Sequence, residues 1–379
     1  MKSGRPTRAE IDLDAISHNL AQVRAKAGGR KVLGVVKADA YGHGAAHVAR
    51  WLEHEGVDML GVALAEEGAN LRAAGIGLPI LILGGVFEHQ ADDVLANGLT
   101  PVVFSDAQAQ AFSKAAVARG VKMPVHVKVD TGMGRVGMPP EEAVEFAAKL
   151  NAMPGLFVQG LMTHLSDVSG QDKSFAEYQI KRFTEAVHGL AARGIEVPLL
   201  HASGSAAIIE FQPAHFNMVR PGIMLYGCHP SEHMKSLLSL EPVMSVKTAV
   251  MHLKRMEKGL PISYGRTYHT QRPSLIATLP VGYADGLDRG LSNRGSVLIG
   301  GRRCPIVGTV CMDLVMVDVT QVPDVKVGDE AVVIGRQGNE EITADEVAGL
   351  LDTISYEVLC GISGRVPRAY IQQISSCIR

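Results

Sequence analysis

The fold of this chain is decided by the segment VLGVVKADAYGHG, residues 32–44. Its first part, Val32–Val36, is an apolar and largely β-branched run that predicts a buried strand. Lys37 follows where that strand ends, and a helical pattern begins after Gly44. An ammonium at the end of a buried strand is poorly solvated, so we expect its pKa to fall and its free amine to attack a carbonyl. The alternative is a lysine whose charged end reaches water along its aliphatic stem.

Outward from this segment, short apolar strands alternate with helical segments. The predicted strands are Val32–Val36, Met59–Ala63, Pro79–Leu83, Pro101–Phe104, Val125–Val129, Val158–Thr163, Pro198–Ala202 and Phe216–Val219. Helices are predicted over roughly residues 44–55, 65–74, 87–97, 106–119, 140–152, 172–193 and 205–211. Before them, residues 7–14 read as a short strand, and Asp14 is placed to cap a helix over Ala15–Lys26. Eight such units fit an α/β fold of the TIM (β/α)8 barrel type, whereas a doubly wound sheet usually has fewer strands.

The pattern changes in the last third of the chain. Residues 228–240 are polar and irregular, as in a linker, and alternating strands follow. They are predicted over Met244–Lys254, Ser274–Leu279, Gly295–Ile299, Arg302–Val307, Leu314–Asp318 and Glu330–Ile334, with a helix near Thr343–Leu351 and a last strand near Arg368–Ile374. We therefore predict a barrel over residues 10–230 and a smaller, mostly antiparallel β domain over residues 231–379.

Composition excludes several classes of function. The 379 residues carry 37 basic and 39 acidic side chains, a balance that argues against nucleic acid or an anionic membrane as the main partner. No run approaches the ~20 apolar residues of a spanning helix, and residues 1–6 lack the apolar core of a signal peptide. Five cysteines (Cys228, Cys304, Cys311, Cys360 and Cys377) lack metal-ligand spacing, so we expect no metal site and reduced thiols in a cytoplasmic protein.

Polar side chains recur where the predicted barrel strands end, which is the edge that carries active sites in TIM barrels. They are Lys37, Lys128, Asp130, Thr163, His164, His201, Ser203 and Arg220. One such residue is easily explained by packing, and His164 alone would be interpreted as a core histidine. A ring of them after apolar strands predicts a functional site at this end of the barrel.

The run VVKADAYGHG, residues 35–44, resembles the cofactor-lysine segment of alanine racemases, which depend on pyridoxal 5'-phosphate (PLP). The resemblance covers nearly the whole chain. It extends to HVKVDTGMGRVGM (126–138), HASGSAAII (201–209), RPGI (220–223), SYG (263–265), GYADG (282–286), GTVCMDL (308–314), TISYEV (353–358) and SGRVPR (363–368). It implies an enzyme that interconverts L-alanine and D-alanine and a homodimer with active sites shared between chains. It also implies that the N-terminal strand joins the β domain, so that residues 1–9 would belong to that domain.

The same resemblance implies roles for the residues that act on the substrate. Lys37 holds PLP and serves as the base on the D face, and Tyr264 serves as the base on the L face. Arg135 binds the phenolic oxygen of PLP and the substrate carboxylate, which the backbone N–H of Met312 also meets. Tyr264 and Met312 are expected to reach the cofactor of the other chain.

Further residues are implied around the cofactor. Ser205, Gly222, Ile223, Tyr41 and Tyr356 are expected at the phosphate, although a serine at a helix start is just as often a simple cap. His164 is expected beside the ring and Arg220 at the pyridine nitrogen, where a group that only donates leaves the nitrogen unprotonated. Lys128 is a candidate for carbamylation. Gly204 departs from the family, in which an asparagine is usual.

Two alternatives stay open at this point. A racemase of broad amino-acid specificity, or a decarboxylase of the same barrel type, would share the cofactor residues. A non-catalytic PLP-binding carrier has a similar barrel but no second domain, so Tyr264, Met312 and Tyr356 argue against it. The sequence leaves open whether the enzyme serves D-alanine synthesis for the cell wall or D-alanine breakdown.

Overall fold

The computed structural model describes residues 4–372, which form two compact units. One unit comprises Ser17–Ala40 and Gly44–Leu240, and the other comprises the N-terminal residues through Ile16, Tyr41–His43 and the chain from Glu241 onward. No helix within the described residues is both long enough and apolar enough to cross a membrane.

Strands are numbered in chain order from β1 (Arg8–Asp12). The first unit contains a sheet of eight parallel strands: β2 (Lys31–Val35), β3 (Met59–Val62), β4 (Ile80–Ile82), β5 (Thr100–Val103), β6 (Met123–Lys128), β7 (Leu156–Met162), β8 (Leu199–His201) and β9 (Met218–Val219). Their order in the sheet is β8-β7-β6-β5-β4-β3-β2-β9. Hydrogen bonds join the two ends, from Asn217 N to Leu200 O at 3.3 Å and from Arg220 N to Ser203 O at 3.0 Å. The predicted eight-stranded barrel is therefore confirmed, and it is nearly closed.

The helices that cover the barrel lie close to their predicted positions. They are Leu13–Ala27, Ala45–His54, Ala65–Ala73, Ala91–Ala96, Asp106–Ala118, Pro140–Ala152, Ser174–Ala191 and Ser205–Glu210. The predicted cap of the first helix is wrong, because Asp12 rather than Asp14 takes this role. Its Oδ1 accepts the amides of Asp14 and Ala15 at 3.0 and 3.1 Å, so the helix begins two residues earlier than expected.

The second unit is mostly antiparallel. Its further strands are β10 (Met244–Ala249), β11 (His252–Met256), β12 (Pro261–Ile262), β13 (Tyr268–His269), β14 (Ser274–Leu279), β15 (Ser296–Ile299), β16 (Arg302–Pro305), β17 (Val315–Asp318), β18 (Glu330–Gln337), β19 (Glu340–Ile342) and β20 (Arg368–Ile371). One sheet has the order β16-β15-β18-β10-β1-β20 with β19 on β18, a second is β11-β14-β17, and a third is β12-β13. β1 pairs antiparallel with β10 and parallel with β20. Two helices, Ala344–Leu351 and Ser355–Cys360, complete the unit.

Three predictions about this part of the chain need correction. The single strand predicted over Met244–Lys254 is wrong, because the chain leaves one sheet at Ala249 and enters another at His252. The strand pairs β12-β13 and β18-β19 and the helix Ser355–Cys360 were not predicted. Residues 228–240 contain a short 3-10 turn over Glu232–Ser236 and bury Met234, unlike a solvated linker. Cys377 and the last two residues of the predicted strand Arg368–Ile374, which follow Gln372, lie outside the described residues.

Candidate active site

Lys37 is half-buried and is followed by a left-handed turn. Ala38, Asp39, Ala40 and Tyr41 have φ between 51° and 54°, so four consecutive residues other than glycine are left-handed. Such residues cost roughly 1–2 kcal/mol each, and the surroundings must hold them in place. Within the barrel unit, the amide of Ala38 donates to Glu67 at 2.6 Å and that of Ala45 donates to Asp39 Oδ1 at 2.7 Å. The backbone around Lys37 is thus fixed by side chains that the sequence did not single out.

Arg220 is the most connected polar side chain at the strand ends. It is 5% exposed and donates to the backbone carbonyls of Thr163 at 2.9 Å and Ala202 at 3.0 Å. Its two terminal nitrogens also contact His201 Nδ1 and His164 Nδ1, each at 3.1 Å. The guanidinium therefore ties the ends of β7 and β8 to the residue that follows β9.

The contacts of Arg220 fix the direction of a longer chain of hydrogen bonds. Because a guanidinium only donates, His201 accepts at Nδ1 and a neutral His201 carries its proton on Nε2. Nε2 of His201 then donates to His126 Nδ1 at 2.8 Å. Nε2 of His126 donates in turn to Gln159 Oε1 at 3.2 Å. Every donor in this chain points away from Arg220, which stabilises the cation.

Burial and positive charge keep the histidines of this chain neutral. Burial, reinforced by the charge of Arg220, lowers the pKa of His164 and of His201 well below the ordinary value. Burial also lowers the pKa of His126 to about 4. Burial and the charge of Arg135 lower the pKa of Arg220 to about 9, which leaves Arg220 a cation at neutral pH.

Lys128 ends β6 in a buried position beside other cations. Burial and the charges of Arg220 and Arg135 lower the pKa of its amine well below the ordinary value, with Asp130 acting in the opposite direction. Asp130 itself shapes the following loop by accepting the amides of residues 132–134 at 2.8 to 3.1 Å. The exposed Arg135 follows this loop. The charges of Arg220 and Arg135 thus both act on the Lys128 amine.

Two buried serines lie after β8. Ser205 Oγ accepts the amide of Gly222 at 3.0 Å and that of Met224 at 3.5 Å, so its hydroxyl bridges to the segment after β9 and does not cap the helix Ser205–Glu210. Ser203 Oγ is buried and has no hydrogen-bond partner among residues 4–372. Ile223 starts the next 3-10 turn and is buried. Because Ser205 accepts both of these bonds, its own hydroxyl proton can still be donated, as can that of Ser203.

Gly204 lies between these serines with φ of −91°, so its backbone does not require glycine. A Cβ atom at this position would lie 3.3 Å from His164 Cε1. A larger side chain would therefore have to share space with the imidazole that Arg220 holds. The absence of a side chain here removes one contact to the His164 ring.

The remaining predicted residues belong to the second unit. Tyr264 and Met312 are 73% and 52% exposed. The loops that carry them are joined, because Thr309 Oγ1 donates to Tyr264 O at 2.9 Å and Ser263 Oγ donates to Thr309 O at 2.6 Å. Tyr264 and Met312 therefore lie on two loops of the β domain that are hydrogen-bonded to each other.

Tyr41 and Tyr356 also lie together in the second unit, with ring centroids 6.0 Å apart. Tyr41 is 6% exposed, and burial, with contributions from Tyr356 and Cys360, raises the pKa of its phenol. The hydroxyl of Tyr41 therefore keeps its proton and can act as a hydrogen-bond donor.

His126, Gln159 and Glu67 were missed by the sequence reasoning. His126 carried a signal that was not used: it stands two residues before Lys128 in a strand, so both side chains point to the same face. Gln159 and Glu67 carried none, because a polar residue inside a strand or helix acquires its partners only through the fold. No group of three or more potential ligands for a metal ion occurs within the described part of the chain.

Comparison with known families assigns both halves of the chain. Residues 11–230 match the model of the alanine racemase N-terminal domain, and residues 243–370 match the model of the alanine racemase C-terminal domain. An alanine racemase of Halothermothrix orenii is 48% identical over 371 residues, which cover 98% of this chain and 98% of that protein.

Solved structures give the same result. An alanine racemase of Clostridium difficile superposes with a TM-score of 0.94 at 41% identity, covering 98% of this chain and 97% of that one. The alanine racemase of Bacillus anthracis with bound L-Ala-P superposes with a TM-score of 0.91 at 37% identity, with the same coverage.

Proposed function

Because this chain belongs to the alanine racemase family, we propose that it interconverts L-alanine and D-alanine with PLP as its cofactor. The observation that carries the proposal is the match of both family domains along one chain, with 48% identity to a relative over almost the full length. A carrier that consists of a barrel alone would not match the second domain. The reaction class is isomerisation of an amino acid.

The barrel fits an anionic cofactor. The charges of Arg220, Arg135 and Lys37 all act on His164, so the strand ends carry positive charge beside this residue. A phosphate and a carboxylate would neutralise that charge. The unpartnered hydroxyl of Ser203 and the bridging hydroxyl of Ser205 offer uncharged donors beside it.

We assign the cofactor-binding residues from the resemblance to the alanine racemase family. Lys37 would hold the cofactor covalently through its Nζ. The phosphate would be met by the residues predicted for it, which are Tyr41, Ser205, Gly222, Ile223 and Tyr356. His164 and Arg220 would lie at the ring, where Arg220 offers only donors and leaves the ring nitrogen without a proton.

The proton transfers are assigned to two side chains, the amine of Lys37 and the phenol of Tyr264. PLP, when bound, makes the Cα hydrogen of an attached amino acid acidic. Lys37 Nζ would take or return this proton on the D face, and Tyr264 Oη would do so on the L face. Arg135 and the Met312 amide would hold the substrate carboxylate between the two bases.

We propose a homodimer in which Tyr264 and Met312 serve the cofactor of the partner. Both side chains are more than half exposed in the single chain, which is unusual for a catalytic base and for a large apolar residue. A second copy of the chain would cover them. We also propose a cytoplasmic location, where the thiols of Cys228, Cys304, Cys311 and Cys360 would stay reduced.

Lys128 is proposed to be carbamylated. Burial and two neighbouring cations lower its pKa, which raises the fraction of neutral amine that can attack carbon dioxide, forming an N–C bond and releasing one proton. The product is an anion between Arg220 and Arg135. It would replace repulsion by attraction and hold the Arg135 side chain in place.

The function is tested by polarimetry with L-alanine and, separately, D-alanine, with added PLP. We expect optical rotation to decay to zero from both sides, and Lys37→Ala to abolish the decay. Lys258→Ala, which removes an exposed lysine of the β domain, is the matched control and should leave the rate unchanged. Borohydride treatment should fix the cofactor on the Lys37 peptide. Fixation on another lysine, or no racemisation with PLP bound, would refute the proposal, and parallel rates with serine and lysine report its specificity.

A further inference from the structure

The segment GYADG, residues 282–286, has no role in the reaction as assigned above. In the second unit it lies directly against the segment that carries Met312. Tyr283 N donates to Cys311 O at 3.0 Å and Ala284 N donates to Met312 O at 3.0 Å. A Cβ atom on Gly282 would come within 2.3 Å of Met312 O, so only glycine allows the two backbones to approach this closely.

The other side of the same segment is held as tightly. Ser363 N donates to Asp285 O at 3.1 Å, and Ser363 Oγ donates to Ala284 O at 2.7 Å. Gly286 has φ of +107°, and a Cβ atom there would meet Gly361 O at 2.5 Å. Residues 282–286 are therefore clamped between the Met312 segment and the backbone of residues 361–363.

The carboxylate of Asp285 is the centre of this clamp. It is fully buried and accepts the amide of Gly282 at 3.1 Å. Arg5 binds both of its oxygens, with Nη1 at 3.0 Å from Oδ2 and Nη2 in contact with Oδ1. Arg365 Nε lies 3.5 Å from Oδ1. A buried carboxylate is tolerated only with such partners, so its position depends on both arginines.

Arg365 also connects this carboxylate to the neighbour of Met312. Its Nη2 donates to Asp313 Oδ1 at 2.7 Å, and its backbone oxygen accepts from Arg5 Nη2 at 3.3 Å. The chain Arg5, Asp285, Arg365 and Asp313 thus runs from the N-terminal segment to the residue beside Met312. Displacement of either arginine would move the backbone on which the Met312 amide lies.

We propose that Asp285, with Arg5 and Arg365, is a positioning residue that fixes the Met312 amide toward the substrate carboxylate. The inference rests on the proposed function for the role of Met312. Asp285 acts through the backbone contacts of residues 282–284 with residues 311–312 and does not touch the substrate. The N-terminal segment thereby becomes part of the machinery that sets substrate affinity.

A purely structural role is the competing explanation, and it predicts a different readout. Loss of a structural ion pair lowers the stability of the β domain and leaves the affinity of the folded enzyme for carboxylates unchanged. A positioning role weakens that affinity in protein that is still folded. Arg303, which pairs with Glu340 and Glu346 on the same unit, supplies a control for ion-pair loss away from the Met312 segment.

The experiment uses the PLP-loaded full chain and propionate, a carboxylate without an amino group, as the probe. Calorimetry should show Kd for propionate rising roughly tenfold in Arg5→Gln, the effect of weakening one charge-assisted hydrogen bond, with KM for alanine rising in parallel and kcat changing less. Arg5→Lys should recover part of the affinity, and Arg303→Gln should leave Kd unchanged. Arg365→Gln should repeat the result of Arg5→Gln.

An unchanged Kd for propionate in folded Arg5→Gln and Arg365→Gln would overturn the inference. An equal rise in Arg303→Gln would do the same, because it would trace the effect to general destabilisation. The wild-type enzyme separates this failure from that of the proposed function. If the wild type racemises alanine and the variants keep their affinity for propionate, the positioning role alone is contradicted. If the wild type does not racemise alanine, the proposed function is contradicted.

Discussion

The barrel and the β domain hold their proposed site residues in opposite ways. Arg220 is 5% exposed and takes its partners from two histidines and two backbone carbonyls of the same unit. Tyr264 is 73% exposed, and its backbone carbonyl accepts a hydrogen bond from Thr309 Oγ1. Arg220 is therefore set by burial within the barrel, whereas Tyr264 and Met312 lie on exposed loops of the β domain. We expect changes in the barrel to cost stability and activity together, and changes in the β-domain loops to cost mainly activity.

The comparison is tested most strongly by separating the two bases on different chains. Lys37→Ala and Tyr264→Phe homodimers should each be inactive. Mixed and exchanged, they should recover about a quarter of the wild-type activity, because half of the dimers are then mixed and each has one site with both bases. Steady-state racemisation of alanine measures the recovery.

Two controls accompany the mixing experiment. Lys37→Ala chains mixed with chains that carry both substitutions should stay inactive, since no site then has both bases. Native mass spectrometry must confirm that subunits exchange. Confirmed exchange without recovered activity would mean that one chain supplies both bases and that the exposed Tyr264 does not serve a partner.

A charge reversal at Arg220 should have the next largest effect. Arg220→Glu replaces donors by acceptors, so the carbonyls of Thr163 and Ala202 lose their partner and the cofactor nitrogen can be protonated. We expect kcat/KM for racemisation to fall roughly 100-fold, as for a misplaced site, and pyruvate formation per racemisation event to rise. Arg220→Lys keeps the charge and should slow racemisation without raising that ratio. Both are compared at matched cofactor occupancy, and an unchanged ratio in Arg220→Glu would place Arg220 away from the ring nitrogen.

Much of the barrel could be predicted because its strands are nearly all buried. A strand covered on both faces is an uninterrupted apolar run, and the polar residue that ends it is conspicuous. This logic located Lys37, Lys128, His164 and Arg220. The same logic could have located His126, which lies two residues before Lys128 in the same strand. That spacing was not used.

Tertiary contacts decided what the sequence could not. The run Lys37–Tyr41 has ordinary helix-forming residues, and nothing local reveals that Ala38 to Tyr41 take left-handed φ values. Asp12 and Asp14 are equally good caps by type, and the observed geometry selects Asp12. The chain from the N-terminal Arg5 to Asp285 spans 280 positions, a separation at which no spacing rule applies.

The smallest effect is expected from a barrel histidine far along the hydrogen-bond chain. His126 is fully buried, and burial lowers its pKa to about 4, against about 6.5 for an unfolded histidine. At pH 7 the folded state does not bind the proton and the unfolded state binds it only in part, so His126 contributes little to the pH dependence there. Between pH 6.5 and 4 the unfolded state binds the proton and the folded state does not, so the free energy of unfolding decreases as the pH is lowered. The total loss is roughly 3 kcal/mol and is complete below the folded pKa.

His126→Gln should remove this part of the acid sensitivity while it preserves the contacts. Gln Oε1 can accept from His201 Nε2, and the amide nitrogen can donate toward Gln159, so the variant should fold at pH 7. Urea unfolding at pH 7 and pH 5 measures the free energy of unfolding at each pH. The loss between them should be smaller in His126→Gln than in the wild type and unchanged in His89→Gln, which alters an exposed histidine. Equal losses in all three proteins would mean that folded His126 is already protonated at pH 5, which would contradict the lowered pKa and would break its hydrogen bond from His201 at that pH.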